Sequence, residues 1–226
     1  MPRLRMMHLY QPIVRIGTEG LVGYEALVRI PGRDLGQVLR ELAAEGPEAL
    51  RAFDAAALRS ALSRCPSGVR LFMNVTVATL VAAAEGHGWP DADGAQVVWE
   101  IPEGRQGSVV LLRAGTAAAL EGVEIALDDL GSGDSDLARL GAFPGAWCKL
   151  AMRLVRGCHT NAGNAAVIRA VVQLAGELGQ RVIAEGVERV EEAAALAEMG
   201  VRYAQGFLYG PPARVPRRLV AGTAPC

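Results

Sequence analysis

Eight polar or charged residues occupy the same kind of place in this sequence. Glu25, Asn74, Glu100, Asp128, Asp129, Lys149, Glu185 and Gln205 each stand at or just beyond the end of a short apolar, β-branched run. Taken singly, such an acid is more often a helix N-cap, a loop hydrogen-bonder or a surface charge than a ligand. Taken together, they concentrate acids and an amide at the ends of otherwise apolar segments, and burying that much negative charge is costly without a compensating cation. Hard carboxylate and amide oxygens favour magnesium, manganese or calcium over zinc. The three histidines, His8, His87 and His159, lie away from these run ends, which argues against a histidine-based site. Asp128-Asp129 is the most informative pair. Adjacent acids where a strand turns into a loop can bind two ions with one carboxylate bridging, and two divalent ions roughly 3.5–4 Å apart are a recurrent device for phosphodiester cleavage. Leu130-Gly131-Ser132-Gly133 follows at once and can bend against a metal or phosphate, although two glycines alone are more often an ordinary turn. Arg29 suits a phosphate clamp and Lys149 offers a movable positive charge; a plain salt-bridge partner is an equal reading of each.

These residues need a scaffold that brings strand ends together. The chain alternates short apolar runs with longer Ala/Leu/Glu/Arg-rich segments of helical spacing, the grammar of an α/β protein. Strands are expected over Gln11–Ile16, Leu21–Arg29, Val69–Val75, Gln96–Ile101, Glu124–Asp128, Trp147–Leu150, Arg181–Ala184 and near Tyr203–Gly206. The first two form a hairpin across Gly17-Thr18-Glu19-Gly20. Helices are expected over Leu35–Ala44, Glu48–Arg64, Val77–Ala84, Ser108–Leu120, Asp136–Leu140, Asn164–Leu178 and Val190–Met199. Roughly six βα units after a hairpin suit a barrel or an open doubly wound sheet. The barrel is the more economical reading, because it converges all the strand ends on one mouth, whereas an open sheet spreads them across its width.

Composition bounds the rest. At 226 residues, 51% hydrophobic and 21% charged, one domain with a continuous core is expected. No repeat of fixed period or linker interrupts it, and the Pro- and Gly-rich end from 213 to 226 reads as a tail. A formal charge of -1 provides no basic field for DNA or RNA polymers. Cys65, Cys148, Cys158 and Cys226 form no CxxC pair, so neither a thiolate zinc site nor a disulfide framework is expected and the setting reads as a reducing cytoplasm. No run reaches signal-peptide or membrane-span length.

The motifs resemble a known family. GYEALVR with Glu25-Ala26-Leu27, preceded by Gln11-Pro12-Ile13-Val14, is similar to the opening of EAL domains, which hydrolyse cyclic di-GMP to the linear dinucleotide pGpG. FMNVT, WEIPE, LDDLGSG, WCKLA, VIAEGVE and YAQGFLYGPP follow in the family's order, so the resemblance covers about residues 8 to 212. It implies a modified TIM barrel whose first strand runs antiparallel to the others. It implies that Glu25, Asn74, Glu100 and Asp128 hold one Mg2+ or Mn2+ ion and that Asp128, Asp129 and Glu185 hold a second. Catalytic roles fall to Glu185 and Lys149 with Asp129. Gln11, Arg29 and the backbone near Leu27 contact the dinucleotide, and Gln205, grouped with them at the substrate, supports the metal-water network. Glu103 anchors the loop after Asp129, and Glu188 lies behind the metal ligands. Homodimers, and regulation by a protein partner, are further expectations of the resemblance.

Two positions depart from the family's pattern. Ala151 stands where active members carry an Asp two residues after the lysine, and Asp134 stands where a tyrosine is usual. The segments between Arg29 and Asn74, and between Asn74 and Glu100, are also shorter than is typical. The resemblance therefore implies either an active phosphodiesterase or a degenerate domain that binds cyclic di-GMP or a protein partner without turnover.

Overall fold

The computed structural model describes residues 4–101, 108–131 and 136–214. Eight strands close into one barrel in sequence order: β1 (Met7–Arg15), β2 (Leu21–Arg29), β3 (Arg70–Asn74), β4 (Val97–Ile101), β5 (Glu124–Leu130), β6 (Trp147–Leu150), β7 (Arg181–Ala184) and β8 (Tyr203–Gln205). β1 pairs antiparallel with both β2 and β8, and every other neighbouring pair is parallel. The expected TIM-type barrel with an antiparallel first strand is therefore the fold. Parallel neighbours need crossovers of a dozen or more residues. These are supplied by helices α1 (Leu35–Glu45), α2 (Pro47–Leu62), α3 (Val77–Ala84), α4 (Ser108–Leu120), α5 (Asp136–Ala142), α6 (Met152–Val155), α7 (Ala162–Glu177) and α8 (Val190–Glu198).

Local chemistry sets several boundaries. The Asp34 side chain accepts from Gln37 N at 2.8 Å and starts α1. Pro47 opens α2, where its missing N–H is not needed. The Asn161 side chain accepts from Asn164 N and starts α7. β1 begins four residues before the expected Gln11, because Met7 to Tyr10 pair with the far half of β2, out to Arg29. The α6 turn escaped the sequence reading, since four residues carry no readable period.

The barrel interior is filled by Ile13, Phe72, Val98, Ala126, Trp147 and Ile183, one inward residue from most strands. A second core lies between strands and helices, with Leu58, Leu80, Trp99, Leu127, Ile168 and Leu196 among its buried members. Side chains alternate faces along a strand, so stepping two residues toward the C-terminal end from the plug arrives at the expected site. Phe72 leads to Asn74, Val98 to Glu100, Ala126 to Asp128, Trp147 to Lys149 and Ile183 to Glu185.

Candidate functional site

Lys149 is the centre of the C-terminal mouth. Its side chain is 1% exposed, and its Nζ lies 2.6 Å from Glu100 Oε1, 2.7 Å from Glu185 Oε1, 3.2 Å from Asp128 Oδ1 and 3.7 Å from Glu25 Oε2. Asn74 donates Nδ2 to Glu100 Oε2 at 3.1 Å and to Glu25 Oε1 at 3.4 Å. Gln205 donates Nε2 to Glu25 Oε2 and to Gln11 Oε1, the latter at 2.9 Å, while Gln11 donates to Gly210 O at 3.3 Å. Seven of the expected residues thus join Lys149 in one contiguous network, drawn from all eight strands or their immediate ends.

Glu25 stands in the middle of β2 rather than at its end. The parallel pairing of β2 with β3 stops at Glu25, and the rest of β2 continues only in the hairpin with β1. Glu25 is therefore at the barrel's rim although not at its strand's terminus. Asp128 and Asp129 sit at a register shift between Leu127 and Leu130, and Asp129 has φ +56, a conformation uncommon outside glycine. The irregularity breaks the alternation at this pair, a common use of bulges; the Asp128 carboxylate meets Lys149, and Asp129 is exposed. Gly206 directly follows Gln205, and a Cβ there would collide with the Val187 backbone. Only glycine lets the exit of β8 pass the loop that carries Glu185.

The electrostatics are unbalanced. Four carboxylates surround one ammonium, a formal −3 when all are ionised. Burial first, and then the Glu25 and Asp128 charges, push Glu100 well above the usual carboxylate range despite Lys149. Burial likewise raises Glu185 to about 7, with Lys149 opposing and Asp128 and Glu25 adding to it. Burial alone would lower Lys149, but the four carboxylates, Glu100 foremost, carry it well above its ordinary value. Such shifts mark uncompensated negative charge. The donor set is all hard oxygen, and among the described residues Glu100 Oε1 and Asp128 Oδ1 are buried against the ammonium without a further hydrogen-bond donor, so the residues fit divalent cations of the magnesium or manganese type. Among the described residues no three acids are closed on a common point as a preformed metal cage; the carboxylates are instead turned toward Lys149.

Other expected site residues lie elsewhere. Arg29 is exposed at the end of β2 and donates to Val28 O. With Leu27 and Asn74 it lines a mostly apolar cavity of about 620 Å³ beside the cluster. Glu188 points away, paired with Arg156 at 2.6 Å. Glu103 and Asp134 lie outside the described residues. Ala151 is buried, with no carboxylate to offer, and its N–H donates to Leu130 O. His8, discounted as a ligand, is buried in β1 away from the cluster, and burial lowers it to about 4.

The sequence reading missed Asp54. It is buried on α2 and accepts from Thr76 N at 3.0 Å, Thr76 Oγ1 at 2.7 Å and Thr79 Oγ1 at 2.6 Å. These bonds pin the β3–α3 junction two residues after Asn74. An acid on the apolar face between Phe53 and Ala57-Leu58 was the available clue. Glu192 does similar work, accepting from the N–H groups of Gly157, Glu188 and Arg189 and tying the loop after Glu185 to the turn after α6.

Comparison with known proteins agrees with this architecture. A family model described as EAL domain matches residues 3–212. Over 91 residues, 40% of this chain, the sequence is 41% identical to the cyclic di-GMP phosphodiesterase PdeR of Escherichia coli and 42% identical to the cyclic di-GMP phosphodiesterase RocR of Pseudomonas aeruginosa. These matches span 14% and 23% of those proteins, so the chain covers less than a quarter of either. Among solved structures, the manganese/cy-diGMP complex of Klebsiella pneumoniae BlrP1 superimposes with a TM-score of 0.73 at 28% identity, over 94% of this chain and 57% of that one. No helix among the described residues is long and apolar enough to cross a membrane.

Proposed function

Because the chain belongs to the EAL-domain family, we propose that it is a metal-dependent phosphodiesterase that hydrolyses cyclic di-GMP to pGpG and lowers the level of that messenger. The observation that carries the reading is the ring of Glu25, Glu100, Asp128 and Glu185 around one buried ammonium, a charge deficit that two divalent ions would reverse. Glu25, Asn74, Glu100 and Asp128 would hold one ion, and Asp128, Asp129 and Glu185 the other. Magnesium or manganese, when bound, lowers the pKa of water and stabilises charge on the attacking and leaving oxygens.

The chain's own groups do the remaining work. Glu185, which burial raises to about 7 in the metal-free protein, would be held ionised as a ligand and orient the attacking water through its carboxylate. Lys149 holds four acids at one point and faces the oxygen that develops charge. Asn74 and Gln205 fix the Glu25 carboxylate through both of its oxygens. Arg29, beside the apolar cavity, suits a phosphate of the dinucleotide with the Leu27 backbone as its neighbour. Water adds to phosphorus, the bond to the 3′ oxygen breaks, and the linear product keeps a 5′ phosphate.

Residues 8 to 212 form the working domain in this proposal, with a cytoplasmic setting and a homodimer or regulatory protein supplying control. Purified protein with millimolar Mg2+ or Mn2+ converts cyclic di-GMP to pGpG, and Glu25→Ala abolishes the conversion; a wild type inactive with both metals contradicts the reading. Ala151 favours one alternative, a domain that binds cyclic di-GMP without cleaving it. That alternative predicts calorimetric binding with no product over hours.

A further inference from the structure

The alternation that sends Asn74, Asp128, Lys149 and Glu185 to one mouth of the barrel builds a second ring at the other. Two residues back from the plug on each strand, Phe72 leads to Arg70, Ala126 to Glu124 and Ile183 to Arg181. Arg70, Glu124, Trp147, Arg181 and Tyr203 are the first residues of β3, β5, β6, β7 and β8, and Arg15 is the last of the antiparallel β1. Arg15, Arg70, Arg181, Trp147 and Tyr203 line a cavity of about 320 Å³ at this end.

Its floor is aromatic. Trp147 and Tyr203 meet edge-on at 5.2 Å. The Arg181 guanidinium lies 3.9 Å from the Trp147 ring centre, Arg70 5.5 Å from the same ring, and Arg15 5.3 Å from the Tyr203 ring. Glu124 is shared, pairing with Arg70 Nε at 2.7 Å and with Arg181. Three guanidinium groups against one carboxylate leave a formal +2 in a chain whose net charge is -1.

A structural role at the stable end of the barrel accounts for Arg70, Glu124 and Arg181, since one carboxylate satisfies both guanidinium groups. It does not account for Arg15, which is exposed and forms no ion pair among the described residues. Nor does it account for a cavity at the low end of the size that small ligands occupy. Each guanidinium has five donors. Arg70 spends Nε on Glu124, and Arg181 spends Nε on Ala146 O and an outer nitrogen on Glu124, so the outer fork of Arg70 and the whole guanidinium of Arg15 remain in a geometry that matches phosphate oxygens. The rings beneath the guanidinium groups hold those edges in place and cut the rotamer entropy lost on binding.

We propose that this mouth is an anion site for a small phosphorylated molecule, on the face opposite the metal-ligand cluster. The inference does not rest on the phosphodiesterase reading, because the site uses none of that cluster's residues and needs no divalent ion.

The test is isothermal titration of the whole chain with inorganic pyrophosphate in EDTA, at low and moderate salt. Saturable one-site binding is expected, weakening as salt rises. Arg15→Ala, a change at an exposed side chain, should weaken it at least tenfold. Arg15→Lys should recover only part of that loss, because an ammonium lacks the fork. Glu124→Gln, which removes the competing charge, should tighten binding several-fold. Arg29→Ala, at the opposite mouth, should leave it unchanged. The proposal is overturned if wild type shows no saturable binding at millimolar pyrophosphate. It is equally overturned if Arg15→Ala binds like wild type while Arg29→Ala does not, which would place the anion at the other mouth.

Discussion

Replacing Lys149 by Met removes the cation on which four carboxylates converge while keeping a side chain of similar length. Lys149 is 1% exposed and meets Glu100 at 2.6 Å and Glu185 at 2.7 Å, so the acids gain no water in its place. Breaking a buried ion pair by deleting one partner costs about 3–5 kcal/mol, and that loss is expected in urea denaturation at pH 8 with EDTA present. The loss should depend on pH in a definite direction. Lys149's own pKa is raised, so its contribution is complete below the ordinary lysine value and is lost only as pH rises through the folded value; it is constant between pH 5.5 and 8. Glu185, raised to about 7, takes up a proton over that interval, and burial pushes Glu100 in the same direction. At pH 5.5 the variant can replace the missing cation with protons, and the loss should fall to about half or less. Added Mn2+ should restore part of the stability at pH 8 by the same logic. A loss equal at both pH values, or below about 1 kcal/mol, would refute the claim that Lys149 holds the ring together by charge.

Metal affinity should itself track pH: because Glu185 must shed a proton near 7, Mn2+ binding should tighten up to about tenfold per pH unit below that point and level off above it, and a pH-independent titration from 6 to 8 would argue that Glu185 is not a ligand. Asp54→Ala removes the acceptor of three bonds from Thr76 and Thr79; with a buried hydroxyl left unpaired, about 2–4 kcal/mol of stability should go, and a change below 0.5 kcal/mol on the order of a surface substitution would show that the junction is held by other contacts. His8 is buried and depressed from 6.5 to about 4. The unfolded chain therefore binds the extra proton first, and stability present above pH 6.5 should be lost as pH falls toward 4, by at most about 3 kcal/mol; His8→Phe should flatten that slope, and an unchanged acid limb would contradict the assignment.

The barrel was legible because its strands are short apolar runs that stop at polar residues, and parallel strands joined by helices leave few topologies. The upper ring was legible for the same reason: Asn74, Glu100 and Lys149 interrupt apolar runs at the ends that a barrel gathers. The position of Glu25 within its strand was not, since β2 serves both the barrel and the hairpin, and sequence alone does not say where the first role ends. Asp54 was hidden by distance, lying on a helix 22 residues from the Thr76 that it serves. The lower ring was hidden by attention to one end of each strand. Reading back two residues from the plug in Arg70-Leu71-Phe72 or Arg181-Val182-Ile183 places the arginines by the same arithmetic that places the acids. The turn of Arg29 toward Val28 O and the pairing of Glu188 with Arg156 depend on rotamers and neighbours that no spacing rule supplies.

The ring around Lys149 is proposed to cut a phosphodiester. That cleavage is tested most directly by following cyclic di-GMP with Mg2+ and the purified chain by phosphorus NMR. The diester resonance is expected to split into one diester and one new phosphomonoester of equal intensity, and Glu185→Gln should suppress the change. A diester signal that stays intact while the nucleotide is demonstrably bound would contradict the proposal.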